Sequence, residues 1–364
     1  MPSTKSLHNI KSPFKFLDAY TKEDKEIFFG REAETDELYD RIFETNLVLL
    51  YGASGTGKTS LILCGLGNRF ESADWMPIFV RRGDHLIDSV NEAIHSHSIR
   101  KLAVDLPLRK RARSLYLDYF KPIYLIFDQF EELFILGSKE EQADFFKMIK
   151  EMLDESLQCK ILISMREEYI AYLSDFEKII PELFDNRQRI EKMNVTMIEE
   201  VISQTAAAFE IDMREEEKTI DMIVDNLRDP RKGIDLANLQ VYLDRLYRQD
   251  VARSKKANRR NGQIIFDPKL VELTGELEDV LSAFLDEQIE VIEDELKEKG
   301  AKKEGIPLDV LFTLVTDNGT KQSMTTSIIK ESLAKRKKIL PEFIDHCIER
   351  FKQMRILREL SDKQ

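Results

Sequence analysis

Leu47-Val48-Leu49-Leu50-Tyr51 runs straight into Gly52-Ala53-Ser54-Gly55-Thr56-Gly57-Lys58-Thr59, and Ser60-Leu61-Ile62-Leu63-Cys64 follows. The apolar run predicts a buried strand and the periodicity after it predicts a helix, so the glycine-rich stretch between them reads as a Walker A phosphate loop. Each residue type serves that chemistry. The glycines let backbone N–H groups close around phosphate oxygens, Lys58 meets the β- and γ-phosphates, and the Thr59 hydroxyl is placed to ligate Mg²⁺. A helix opening at Lys58 adds the positive end of its dipole to the loop. A nucleoside triphosphate is therefore expected to bind across residues 52–60, from Gly52 to Ser60.

A chain of 364 residues is long for one domain, and two or three are expected. The 42% apolar content is enough for real cores, and 34% charged residues with 14 Gly and 10 Pro predict a mainly helical chain with little disorder. A formal charge of −12 repels nucleic acid and anionic lipid at long range, which leaves a local basic patch as the route to either. Cys64, Cys159 and Cys347 stand far apart in apolar stretches without a Cys-x-x-Cys pair, as suits buried thiols in a reducing, cytoplasmic setting. No apolar run approaches the roughly 20 residues that span a bilayer, and Met1-Pro2-Ser3-Thr4-Lys5 lacks the apolar core of a signal peptide. The expectation is a protein neither secreted nor membrane-spanning.

Further strands are predicted at Met76–Val80, Ile123–Phe127 and Lys160–Ser164, with a last one near Arg187 to Glu191, and helical periodicity separates them. Apolar strands alternating with helices mean a parallel sheet covered on both faces. From Thr196 helical patterns dominate. Arg253 to Gly262 reads as a polar loop, a long helix spans Leu277 to about Lys297, Glu298 to Gly305 reads as a linker, and Pro307 to Leu360 reads as three short helices compatible with a winged helix.

The second motif is Tyr124-Leu125-Ile126-Phe127-Asp128-Gln129-Phe130-Glu131-Glu132-Leu133, a Walker B pattern. Asp128, at the tip of a buried strand, is the candidate to hold Mg²⁺ opposite Thr59. Related enzymes often place a water-orienting glutamate next, but here the residue is Gln129. Glu131 or Glu132 is left to supply the base, unless these carboxylates only cap the next helix or sit in solvent. Arg166 follows the strand ending Ile163-Ser164-Met165. If that strand lies between the phosphate-loop strand and the Asp128 strand, its guanidinium falls beside the γ-phosphate; the alternative is a salt bridge to Glu167, Glu168 or another surface acid. His95-Ser96-His97 has no further ligand at a metal-site spacing, and Arg109, Lys110, Arg111 and Arg113 read as a solvated helix face.

Taken with Phe28-Phe29-Gly30-Arg31-Glu32 ahead of the loop, Arg81-Arg82-Gly83 after the second strand, and Leu239-Gln240 followed by Leu243 and Leu246, these residues resemble the STAND class of signal-transducing P-loop ATPases. Within it they are most similar to the bacterial novel STAND NTPase 1 group. The resemblance implies an arm over 1–27, an ASCE-type α/β nucleotide domain over 28–194, an all-helical domain over 195–276 and a winged-helix-like domain over 277–364. It also implies ATP or ADP with Mg²⁺, slow hydrolysis by Lys58, Asp128, Glu131, Glu132 and Arg166, self-association on activation, and Gly30 and Arg31 lying against base and ribose with Phe14 stacked near them. Two departures stand out. The winged helix stops at Leu360-Ser361-Asp362-Lys363-Gln364 before its wing, so the chain is expected to be a fragment or a member that lost wing and sensor; and no Gly-x-Pro signature is evident near the helical domain. Rival readings are an AAA-like ATPase whose winged helix binds DNA, for which Lys335, Arg336, Lys337 and Lys338 are the supporting residues, and a non-hydrolysing scaffold, which Gln129 permits.

Overall fold

The computed structural model describes residues 12–15, 18–99, 106–153, 157–229, 233–256, 263–315, 324–353 and 356–357. Five strands, β1 (Leu47–Gly52), β2 (Met76–Val80), β3 (Ile123–Phe127), β4 (Cys159–Arg166) and β5 (Arg187–Arg189), form one sheet in the order β2-β3-β4-β1-β5. Every pairing in it is parallel, as the alternation of strands and helices predicts. The side-chain period of two then divides each strand between two cores. Leu47, Leu49, Leu125, Phe127, Ile161 and Ile163 face one, and Val48, Leu50, Tyr124, Ile126 and Leu162 face the other. Both faces are covered, which explains why these strands read as unbroken apolar runs.

Helix α1 (Glu32–Glu44) delivers the chain to β1, and α2 (Lys58–Ser60) leaves the phosphate loop, continuing as a π-turn over Leu61–Gly65 and a 3-10 turn over Leu66–Asn68. Helices α3 (Leu86–His97) and α4 (Leu108–Tyr119) join β2 to β3, while α5 (Glu131–Leu136) and α6 (Lys139–Leu153) join β3 to β4. After β5 come α7 (Val195–Ala208), α8 (Glu216–Leu227), α9 (Leu236–Lys256), α10 (Pro268–Thr274), α11 (Leu277–Glu298), α12 (Ile306–Phe312), α13 (Thr326–Lys337) and α14 (Pro341–Gln353).

The chain divides into two compact units, Asp18–Leu239 and Met1–Leu17 with Gln240–Gln364, so the division falls inside α9. In the second unit Ile292, Leu296, Ile306, Val310, Ile329, Leu333, Ile344, Cys347 and Phe351 make one core between α11 and the three short helices expected after Pro307. Residues 316–323, within the stretch read as three short helices, and the tail from Leu360 lie outside the described residues.

Two expectations need correction. Arg253 does not begin a loop: α9 runs to Lys256, because the Arg253 guanidinium donates to Asp250 Oδ1 at 2.6 Å, Asp267 Oδ1 at 3.0 Å and the Ile265 carbonyl at 3.0 Å, which holds the last turn in place. Residues 257–262 lie outside the described residues. Nor is the basic cluster on α4 wholly solvated, since Arg111 is buried and donates to Asn91 Oδ1. The cysteines are buried as expected and form no disulfide among the described residues, and burial pushes the Cys159 and Cys347 thiols up to about 12.

The end of β2 is fixed by a buried ion pair. Arg82 Nε and Nη2 donate to the two carboxylate oxygens of Glu141 on α6, at 3.0 and 2.9 Å, and Glu141 Oε1 also accepts the Leu86 N–H at the start of α3, at 2.7 Å. Burial raises the Glu141 pKa, but the bonds from Arg82 and Leu86 outweigh it and hold the group below its usual 4.5. Because the folded value is the lower one, the stabilisation is present above pH 4.5 and is lost as pH falls through the depressed value. Removing the charge with Glu141→Gln should cost about 3–5 kcal/mol in urea unfolding at pH 7, and should leave a protein whose stability falls less as pH is taken from above 4.5 down through the depressed value than the wild type's.

Candidate nucleotide site

The carboxyl edge of the sheet gathers the predicted residues. Gly52 ends β1, with its backbone so close to the Ile190 carbonyl that a Cβ there would overlap it, and pairs across the sheet with Arg166 at the end of β4. Gly55 and Gly57 have φ of +77° and +86°, left-handed values that only glycine adopts without strain, and they turn the chain through Ala53, Ser54 and Thr56 back into α2. The Gly57 carbonyl accepts the Leu61 N–H at 2.8 Å, starting the helix. Lys58 Nζ folds back to donate to the Gly52 and Ala53 carbonyls at 2.8 and 2.9 Å. Its pKa is lowered, chiefly by burial, against the pull of the Glu131 charge.

Thr59 Oγ1 stands 3.1 and 3.2 Å from the two carboxylate oxygens of Asp128, which is only 4% exposed. The Asp128 N–H donates to the Val80 carbonyl of β2 at 3.1 Å, and the Phe130 N–H to the Ser164 carbonyl of β4 at 2.9 Å, so the tip of β3 is anchored on both sides. A hydroxyl and a buried carboxylate meeting beside the loop form an oxygen donor set that fits a hard divalent cation. Asp128 has a second partner, Arg81, whose Nη2 donates at 2.6 Å and Nε at 3.2 Å. The sequence flagged Arg81 only as part of a family pattern, and a reach from β2 to the neighbouring β3 leaves no local signal.

Residue Gln129 adopts φ +59°, costly for a side chain other than glycine, and this reversal turns the chain into α5. Glu131 consequently points inward at 2% exposure, while Glu132 on the next position is half-buried. Strand β4 does lie between β1 and β3, the condition set for Arg166. Glu131 is its partner: Arg166 Nε and backbone N–H donate to Glu131 Oε1 and Oε2 at 3.0 and 3.2 Å. Glu167 is taken up by Arg189, 2.9 Å away.

Gly30, at φ +77°, has no room for a side chain; a Cβ would come within 2.8 Å of Val201 Cγ2 on α7. Arg31 is 3% exposed and runs under the loop, donating to the Thr56 carbonyl at 3.1 Å and the Glu191 carbonyl at 2.8 Å, and pairing with Glu34. The loop is thus tied from below to the segment after β5. Ser60 Oγ accepts the Tyr20 N–H at 3.1 Å, and Phe14 packs edge-on to Tyr247 in the second unit, ring centroids 6.1 Å apart. At the end of α3, His97 Nδ1 lies 2.7 Å from the Ala93 carbonyl, and no cluster of metal-binding side chains occurs among the described residues.

A family model described as Novel STAND NTPase 1 matches residues 13–362. The chain belongs to that family. It is a P-loop NTPase, as the loop and the Asp128 strand lead one to expect. No curated protein matches it. Among solved structures it is similar to the Aeropyrum pernix ORC1 protein in complex with DNA, at 14% identity, 91% of this chain, 85% of that one and TM-score 0.51. The ADP form of the Aeropyrum pernix ORC2 protein is similar too, at 14% identity, covering 94% and 90%, with TM-score 0.51. A Walker-type ATPase of Pyrococcus abyssi shares 19% identity over 93% and 92%, with TM-score 0.49. At such identities the likeness concerns the fold.

The two backbone bonds make Arg31 a strut of the phosphate loop in this chain. Arg31→Ala leaves the buried Thr56 carbonyl without its donor, a loss of about 1–3 kcal/mol, and frees the part-buried Glu191 carbonyl to water. Isothermal titration should find ADP binding weakened about tenfold while circular dichroism still reports a folded protein.

Proposed function

We propose that the protein is an ATP-driven signalling switch that binds ATP with Mg²⁺, hydrolyses it slowly and self-associates in its ATP state. The observation that carries this reading is the pairing of buried Glu131 with half-exposed Arg166, beside Lys58 and across from Thr59 and Asp128. Thr59 and Asp128 would hold the cation, and Mg²⁺ when bound supplies charge neutralisation to the β- and γ-phosphates. Lys58 exchanges its two backbone carbonyls for phosphate oxygens, and burial of its ammonium strengthens that exchange. Arg81 balances the Asp128 charge while no cation does.

Glu131 fills the base role that Gln129 leaves open. Its carboxylate accepts a proton from the attacking water once Arg166 leaves it for the γ-phosphate, so hydrolysis waits on one guanidinium changing partners. A base that rests in an ion pair suits a slow enzyme, and a slow enzyme suits a switch that must persist in its ATP state. Gly30 and Arg31 are proposed to lie on the base and ribose side of the site. The basic run of α13 offers weak support for the DNA-binding alternative, because Lys335 pairs with Glu331 at 2.5 Å and Lys337 with Asp309 at 3.3 Å. A setting in the cytoplasm, in defence or another regulatory pathway, fits a switch of this kind.

Phosphate release by Glu131→Gln should fall at least about 10²-fold below the wild type with ATP binding retained. Lys58→Ala should lose binding itself. Light scattering should report a larger mass with a non-hydrolysable ATP analogue than with ADP; one mass in both states would refute the switch.

A further inference from the structure

Asp235, the residue before α9, lies against the tip of the phosphate loop. A Cβ at Gly55 would overlap its carboxylate, and one at Gly57 would come within 3.5 Å of Leu236 Cδ1. The first turn of α9 therefore sits on two of the glycines of the phosphate loop. Asp235 also caps that helix: Oδ1 accepts the Ala237 N–H at 2.8 Å, and the Asp235 carbonyl accepts the Leu239 N–H at 3.0 Å.

The residue type matters. The start of a helix presents free N–H groups and a positive end, which would attract a phosphate. Ser, Thr or Asn would cap α9 as well as Asp does. What Asp alone adds is a negative charge, set beside a loop whose ligand is a polyanion. Each further phosphate brought into the loop raises the repulsion on that carboxylate, and partial burial weakens the screening.

We propose that Asp235 is the residue by which this site distinguishes a nucleoside triphosphate from a diphosphate. Its carboxylate rests on Gly55 when no terminal phosphate is present and is repelled when one is. Because the same side chain caps α9, the repulsion unfastens the first turn of the helix and carries the phosphate count into it. This rests on the reading of the loop as an ATP and ADP site.

Asp235→Asn tests the charge while keeping a good cap, and Asp235→Ser repeats the test with a different shape. By isothermal titration both variants should bind the β,γ-imido analogue of ATP about tenfold more tightly than the wild type, with ADP affinity changed less than about threefold. Amide exchange over Leu236–Leu239 should be faster in the wild type with the analogue than with ADP, and equal in the variants. Equal gains for both nucleotides, or no gain, would overturn the inference and leave the switch reading standing. Failure of the wild type to bind either nucleotide would overturn both.

Discussion

Two carboxylates are buried at the carboxyl edge of the sheet, and the site depends on how their charge is met. Asp128 and Glu131 sit at 4% and 2% exposure, where an unpaired carboxylate would be strongly destabilising. Each faces a guanidinium from a neighbouring strand end, Arg81 after β2 and Arg166 on β4. The strand order β2-β3-β4-β1 makes this possible, since it flanks the Asp128 strand with both arginine-bearing strands and sets β4 beside the phosphate-loop strand. A different order with the same strands would leave these acids unpaired.

The same arrangement links stability to chemistry. The groups that neutralise Asp128 and Glu131 are both guanidiniums held at strand ends, Arg81 and Arg166. Under the proposed function, binding would exchange partners at two carboxylates that are already buried, while the guanidiniums that leave them stay partly exposed, so no new carboxylate is desolvated. Arg82 and Glu141 fix the end of β2, and with it the place from which Arg81 reaches Asp128. Arg31 does the same for the loop from the opposite side.

Local pattern explains why so much of the sheet was legible. Apolar runs of five residues bounded by turn or helix signals marked β1, β2, β3 and most of β4, and Asp128 at the tip of one of them marked itself. Misreadings fell where a distant partner changes the meaning of a local string. Arg253 looked like loop because its neighbours are polar, but Asp267 and the Ile265 carbonyl hold it in a helix. Arg111 looked solvated because three other basic residues surround it, and its face of α4 is buried.

The sequence by itself determined the phosphate loop, the strand that feeds it, the aspartate at the tip of β3 and the family, because each is written in contiguous residues whose chemistry needs no distant neighbour. Tertiary structure alone decided which acid meets which base. Nothing near Glu131 in the chain predicts Arg166, nothing near Asp128 predicts Arg81, and nothing near Gly55 predicts Asp235. Those contacts follow from strand order and from the return of α9 to the loop, and both are set by burial of apolar surface summed over the whole unit, which no short window of sequence contains.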